Sequence, residues 1–283
     1  MSRNGILNVA SCQFPMTADP GDNGKWVRKQ MTEANKKKAD VVHFPESALS
    51  GYPHAEKFTF KGYDWDALQE ETEKIMRLAE ELSQWVVLGS AHPLSGRKKP
   101  HNCLYVINPR GKIQDRYDKR FCTPGDLEHY SPGDHFVTFK VNGVTCGLLI
   151  CYDMRFPELY REYRKLGVQL MFHSFHNAHS DKRGIWADIM PPSLRCRAAT
   201  NLMWVSANNP STKYQQWPSI MIQPDGNICG RQRRNRSGVM VCTVDTNREY
   251  YDAVGEDWKR AVRGKLNSGT LVNDPRSRDR KGL

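Results

Sequence analysis

Short apolar runs alternate with helix-patterned stretches through the first third of the chain, and this alternation restricts the possible fold most. Ile6 to Phe14 reads as a strand buried at its start. Gly24 to Lys38 is helical in character, and its basic end suits a helix carboxyl terminus. Ala39 to Glu46 is a second short strand that ends at a carboxylate, before the turn Ser50-Gly51-Tyr52-Pro53. Asp64 to Ser83 has the pattern of a long amphipathic helix, and Trp85 to Ser90 is the next strand. Strand and helix in strict turn favour a layered α/β fold.

The pattern then changes to hairpins. His101 to Asn108 and Ile113 to Lys119 flank the turn Pro109-Arg110-Gly111-Lys112, and Phe136 to Lys140 and Val144 to Cys151 flank Asn142-Gly143. Between the hairpins, Thr123 to Asp134 is a loop rich in Pro, Gly and Asp. After Cys151 the alternation returns, with a helix, a strand at Gln169 to Phe175, a helix around Trp186 to Thr200 and a strand at Leu202 to Ala207. Ser219 to Gln223 and Val239 to Asp245 close the series, with Pro224-Asp225-Gly226-Asn227 expected as the turn between them. The two halves alternate alike, which suits two stacked sheets with helices outside. Residues 1–251 are expected to form one domain, and the polar, basic residues 252–283 a disordered tail or an arm packed on a partner subunit.

With 283 residues, 39% of them hydrophobic, the chain can bury one large core. The net charge of +11 is concentrated at Lys36-Lys37-Lys38, at Arg231 to Arg236 and beyond Arg276. Such runs are usually solvated faces, and no nucleic-acid-binding motif accompanies them, so nucleic acid is not an expected partner. The eight cysteines are scattered, with no CxxC pair, as in a chain whose thiols stay reduced. No stretch reads as a signal peptide or a membrane span, so a cytoplasmic protein without a membrane partner is expected.

One of those cysteines is placed unlike the rest. The apolar run Gly147 to Ile150 stops at Cys151, a polar turn follows, and a helical pattern runs from Glu158 to Leu166. A thiol at a strand's carboxyl end, near a helix amino terminus, stands where a thiolate is stabilised. Glu46 and Lys119 end strands as well, and carboxyl ends of strands converge on one edge of a layered α/β fold. Taken singly, Glu46 fits a loop carboxylate, Lys119 a surface charge and Cys151 a core thiol. Together they form a chemical set. A carboxylate takes the thiol proton and later activates water, a thiolate attacks an electrophilic carbon, and an ammonium stabilises the oxyanion.

Phe44-Pro45-Glu46, Tyr117-Asp118-Lys119 and the block from Gly147 to Glu158 resemble the three motifs of the nitrilase superfamily of carbon–nitrogen hydrolases. The resemblance runs from the first strand to the strand at Val239, and the Cys151-Tyr152-Asp153-Met154-Arg155-Phe156-Pro157-Glu158 block is most similar to the amidase and Nit-protein branches. It implies a four-layer α-β-β-α sandwich that pairs into a homodimer or higher homo-oligomer, with no cofactor. It implies Glu46 as general base, Lys119 as transition-state stabiliser, Cys151 as nucleophile and the Tyr152 backbone N–H as second oxyanion donor. Members often carry a further glutamate shortly before a Pro-Gly pair, and Glu128, ahead of Pro132-Gly133, fits that place. Arg155 and Glu158 are expected to form a buried charge pair bracing the turn.

The strand end His173-Ser174-Phe175-His176-Asn177-Ala178-His179 lines the substrate pocket in this family. His and Asn there imply a polar or anionic substrate contacted by His173, His176 or Asn177, with Tyr52 and Trp186 as pocket walls. A metal is not expected, because histidines on a strand at this spacing do not share a face. The expected activity is hydrolysis of a linear amide or N-carbamoyl compound through a cysteine thioester, with release of ammonia. Nitrile hydrolysis by the same three residues is an alternative, lowered because Cys151-Tyr152-Asp153 departs from the Cys-Trp-Glu block of true nitrilases. A catalytically silent binding protein on the same scaffold is another.

Overall fold

A computed structural model of the chain describes residues 4–178 and 184–281. In chain order the elements are β1 (Ile6–Gln13), α1 (Pro20–Lys36), β2 (Val41–His43), α2 (Pro53–Glu56), α3 (Trp65–Glu81), β3 (Trp85–His92), β4 (His101–Ile107), β5 (Ile113–Asp118), α4 (Asp126–His129), β6 (Thr138–Val141) and β7 (Val144–Ile150). A 3-10 helix (Cys151–Arg155) follows, then α5 (Pro157–Lys165), β8 (Leu170–Ser174), α6 (Trp186–Asn201), β9 (Trp204–Asn208), β10 (Ile220–Ile222), β11 (Ile228–Arg231), β12 (Gly238–Asp245), α7 (Asp257–Ala261) and α8 (Pro275–Arg278). Contacts divide the chain into two units, Met1–Ala253 and Val254–Leu283. The second holds only α7 and α8, neither with a buried residue.

The strands form two six-stranded sheets, ordered β12-β1-β2-β3-β4-β5 and β11-β10-β9-β8-β7-β6. Each sheet has three parallel strands at its centre, β1-β2-β3 and β7-β8-β9, with antiparallel strands outside them. Local sequence accounts for the entries and turns. Asp19 caps α1 by accepting from the Asp22 N–H, and Pro20 pre-sets its first turn. Asp64 caps α3 by accepting from Ala67. Asn142 and Gly143 both take positive φ, 48° and 81°, as the tight turn between β6 and β7 requires.

Strand alternation divides the apolar residues between layers. Leu7 and Val9 of β1, Val87, Leu104 and Val106 meet Phe139, Val141, Cys146 and Leu148 of the other sheet in one buried cluster. Tyr160, Tyr163, Leu194 and Ala198 from α5 and α6 extend it over the far face of the second sheet. Ala10, Cys12, Val42, Val86 and Leu88 face the other way, onto Val27, Met31, Ile75 and Ala79 of α1 and α3. The layers therefore run helix, sheet, sheet, helix.

At the carboxyl ends of the central strands the seam between the sheets turns polar. His43 of β2 bonds Ser206 through Nδ1 and Ser174 through Nε2, each at 2.9 Å. Burial lowers the His43 pKa to about 3, so the ring is neutral. The Ser174 hydroxyl donates to the Phe44 carbonyl (2.9 Å), Asn208 donates its amide to the His43 carbonyl, and Ser11 bonds Ser206 at 3.0 Å. These bonds fix the register of one sheet against the other where β2 and β8 end.

One expectation fails at the last strands. The Pro224-Asp225-Gly226-Asn227 turn leads not into the strand at Val239 but into β11, which pairs with β10. β12 crosses to the first sheet and runs antiparallel to β1 along its whole length, from Ile6 opposite Asp245 to Gln13 opposite Gly238. β11 spans only four residues with a glycine among them, too short and too polar to show as an apolar run.

Candidate active site

Glu46 lies on the turn that follows β2. The next residue, Ser47, takes a left-handed φ of 54°, and the turn presses on β3 at Gly89. A methyl at position 89 would sit 2.0 Å from the Pro45 carbonyl oxygen and 2.7 Å from the Ser47 nitrogen. Only glycine permits that approach, so a position in the middle of β3 fixes the height of Glu46.

Lys119 leaves β5 with its backbone held on both sides. Its N–H donates to the Asn102 carbonyl and its carbonyl accepts from Gly133, both at 2.8 Å. The Gly133 backbone also passes so close that a Cβ there would come within 2.4 Å of the Asp118 carbonyl oxygen. Cys151 follows β7 with φ at 43°, a strained value for a side chain with a Cβ. Asp153 holds this turn. Its carboxylate accepts from the Ile150 N–H (3.0 Å), the Phe121 N–H (2.9 Å) and the Tyr117 hydroxyl (2.8 Å). One buried side chain thus ties the cysteine turn to the segment after Lys119. Burial raises its pKa to about 6, against the pull of the two N–H donors.

The Lys119 ammonium is fully buried and donates to Glu46 Oε1 at 2.7 Å and to Asp126 Oδ2 at 2.8 Å. Asn102 adds a second donor to Glu46 Oε1 at 2.8 Å. Glu46 Oε2 is buried and has no hydrogen-bond partner. Burial alone would lower the Lys119 pKa, but Glu46, the Cys151 sulfur and Asp126 outweigh it and hold the group well above its ordinary range. Burial raises Asp126 and is in turn outweighed by Lys119, with help from the Tyr52 hydroxyl and the Thr123 N–H, so its pKa is lowered. At the half-buried Cys151 the balance runs the other way. Burial and Glu46 push the thiol up, beyond what Lys119 and the His176 backbone N–H take back. The balance favours the protonated sulfur, in keeping with a carboxylate that takes the thiol proton. The Asn177 amide reaches it at 3.5 Å.

Two expected site residues, Glu128 and His173, stand elsewhere than foreseen, and the expected Arg155–Glu158 pair does not form. Glu128 is exposed, and Asp126 occupies the place expected for it on Lys119. Both lie on α4, two positions apart, and at about 100° per residue those side chains leave opposite sides of a helix. A signal for Asp126 was present in Thr123-x-x-Asp126, where each residue's side chain bonds the other's backbone N–H, at 3.0 and 2.9 Å. His173 belongs to the core. Alternation along β8 turns it away from the seam that Ser174 faces and onto α5, where the Tyr160 hydroxyl bonds its Nδ1 at 2.7 Å and Phe175 stacks on the ring. Burial holds that imidazole neutral. Tyr52 bonds Asp126 Oδ1 through its hydroxyl at 2.6 Å, so it steadies the lysine's partner as well as flanking the site. Arg155 and Glu158 are both exposed and form no pair. The Arg155 guanidinium instead lies over the Trp186 ring at 3.5 Å and the Tyr152 ring at 4.6 Å. Tyr152 is half-buried, and His176 stacks on Tyr52. His179 falls outside the described residues, and among those described no group of three or more His, Cys, Asp or Glu could hold a metal.

The sequence matches the Carbon-nitrogen hydrolase family over residues 8–253. The chain belongs to the carbon–nitrogen hydrolase family.

This hydrolase is 27% identical to the omega-amidase NIT2 of Xenopus tropicalis over 264 residues, 88% of this chain and 92% of that protein. It is 28% identical to the human omega-amidase NIT2, over 80% and 84% of the two chains. Its fold matches the amidase of Nesterenkonia sp. AN1, from the nitrilase superfamily, with a TM-score of 0.75 at 18% identity over 92% of this chain and 97% of that one. A mutant of that amidase carries the acetamide moiety of fluoroacetamide covalently on its active-site cysteine; it matches with a TM-score of 0.76 at 17% identity, over 94% and 99% of the two chains. No helix of the described residues is long and apolar enough to cross a membrane.

The exchange of Asp126 for Glu128 has a direct consequence for the hydrolase. Asp126→Ala is expected to lower kcat by about 10- to 100-fold, the loss for one positioned charged hydrogen bond, while Glu128→Ala stays within about twofold of wild type. Steady-state ammonia release from both variants checks this.

Proposed function

We propose that this carbon–nitrogen hydrolase is an amidase for small linear amides that carry an anionic group, acting through a thioester on Cys151. The observation that carries the proposal is Glu46, buried, with one oxygen on Lys119 and the other unpartnered, in a site that keeps the neighbouring thiol neutral. Glu46 Oε2 takes the thiol proton as the sulfur attacks the amide carbon. The oxygen of the tetrahedral intermediate gathers negative charge beside the Lys119 ammonium and the Tyr152 N–H, where one well-placed donor is worth about 10²- to 10³-fold. Collapse breaks the C–N bond, and the proton held on Glu46 goes to the departing nitrogen, giving ammonia. Glu46 then takes a proton from water, the hydroxide adds to the thioester, and the acid leaves as the thiol is restored.

The substrate class rests on Arg155. It stands four residues after the nucleophile in the same short helix, exposed, with its guanidinium braced by two aromatic rings and no ion pair among the described residues. A planar cation held so matches a carboxylate. The omega-amidase relatives point the same way, toward an amide at the end of a chain.

Ammonia release from monoamides of short dicarboxylic acids, neutral aliphatic amides, N-carbamoyl amino acids, N-carbamoyl amines and nitriles tests the proposal. The dicarboxylate monoamides are expected to lead. Arg155→Leu should raise KM for them by about 10- to 100-fold, the range for a hydrogen bond to a charged group, and change KM little for a neutral amide of equal length. Faster turnover of carbamoyl compounds or nitriles, or an equal KM change for both amide types, would overturn it.

A further inference from the structure

A carboxylate–imidazole contact outside the Glu46–Lys119–Asp126 cluster joins two loops from opposite sheets. Glu56, at the end of α2, and His176, beyond β8, have side chains only 5% and 1% exposed, and Glu56 Oε1 lies 3.3 Å from His176 Nε2. The other carboxylate oxygen, Oε2, accepts the Tyr52 backbone N–H at 2.6 Å. The Tyr52 ring stacks on the His176 imidazole with centroids 4.9 Å apart. Each loop then reaches the reacting groups by a separate route. The Tyr52 hydroxyl bonds Asp126, which bonds Lys119. The His176 backbone N–H lies close enough to the Cys151 sulfur to lower its pKa, and the adjacent Asn177 donates its amide to the same atom at 3.5 Å.

We propose that Glu56 is the positioning residue that couples the two sides of this site, holding Tyr52 against Asp126 on one side and the His176 backbone against the Cys151 sulfur on the other. It acts through Tyr52 and His176, the residues it holds. The solvent-excluded position makes a purely structural carboxylate costly, and its two oxygens are spent on the two loops that carry the site. The imidazole, in turn, serves as a spacer whose flat face sets the Tyr52 ring and whose edge meets Glu56. The inference rests on Cys151 being the nucleophile, but on no choice of substrate.

The test compares Glu56→Ala, Glu56→Gln, Tyr52→Phe and the double variant Glu56→Ala/Tyr52→Phe. Two rates are read for each: kcat with KM on the best amide of the panel, and alkylation of Cys151 by iodoacetamide followed by peptide mass. Glu56→Ala is expected to lower kcat by about 10- to 100-fold and to slow alkylation by at least about fivefold, with KM changed less than about threefold. Glu56→Gln, which keeps an acceptor for the Tyr52 N–H, should recover most of both rates. Tyr52→Phe should lower kcat and leave alkylation close to wild type, because it cuts only the Asp126 route. The double variant should lose clearly less kcat than the product of the two single fold-losses, the mark of residues that act through one another. Fully multiplicative losses, an unchanged alkylation rate in Glu56→Ala, or rates that fall only with the folded fraction measured by thermal melting would overturn the proposal. If Glu56→Ala does not fold, Glu56→Met takes its place, and a wild-type alkylation rate in that variant or a wild-type kcat in Tyr52→Phe would overturn the proposal equally. Should wild type hydrolyse nothing in the panel, the substrate proposal fails while the alkylation rates still decide the role of Glu56.

Discussion

Cys151→Ala is expected to release no ammonia above the uncatalysed rate from any amide that wild type hydrolyses, a loss of at least about 10⁴-fold, while the protein stays folded. The methyl fits a position that already bears a Cβ, and the half-buried sulfur lies at the edge of the core beside the Asn177 amide, so its loss removes little packing. The Lys119 ammonium is held protonated and offers no lone pair for an acyl bond. A matched pair of measurements checks this: ammonia release, and the melting temperature of the variant against wild type. Residual hydrolysis within about 100-fold of wild type would remove Cys151 from the mechanism.

Lys119→Met should strike both catalysis and stability. The methionine fills much the same volume, but it leaves Glu46 and Asp126 buried without their cation. Breaking a buried pair from one side costs about 3–5 kcal/mol, and loss of the oxyanion donor costs about 10²- to 10³-fold in kcat. Urea unfolding and ammonia release measure the two effects on one preparation. The pH dependence gives a further sign. In wild type the Asp126 pKa is lowered, so its contribution to stability is present at neutral pH and is lost as the pH falls through that lowered value. In the variant, burial is opposed only by the Tyr52 hydroxyl and the Thr123 N–H, so the carboxyl is raised relative to wild type and its contribution to stability at neutral pH falls. Unfolding curves at several pH values between about 4 and 8 should therefore diverge upward with pH. Parallel curves would mean that Lys119 does not hold Asp126 in its charged form.

The parts of the site that could be read in the sequence are those that strand geometry decides. Glu46 and Cys151 each follow an apolar run, Lys119 ends the second strand of a hairpin, and strands that run the same way bring these ends to one edge, so three residues far apart in the chain could be placed together. The layered fold was legible for the same reason. What could not be read depended on which way a side chain leaves its element. Asp126 and Glu128 are equally acidic and two residues apart, and only the start of α4 decides which one turns inward. His173 and Ser174 are neighbours on β8, and the pleat sends one to the helix layer and the other to the seam. β11 and β12 were merged because a four-residue strand with a glycine carries too little apolar periodicity to announce itself. Glu56 gave no signal of its role, since the Tyr52 N–H is a local partner at the start of α2 and His176, the distant one, is brought to it only by the stacking of the two sheets.

That stacking governs when the chain becomes chemically active during its synthesis. Glu46 issues from the first sheet and Cys151 from the second, and the two are joined only when His43, Ser174, Ser206 and Asn208 have closed the seam. A nascent chain with one sheet formed has an ordinary thiol and no base beside it. Assembly supplies the base, but burial simultaneously holds the proton on the sulfur. In the finished fold the sulfur therefore gains its base and keeps its proton in the same step. Reactivity is conferred by completion of the fold, and it is spent only on a carbon that enters the finished site.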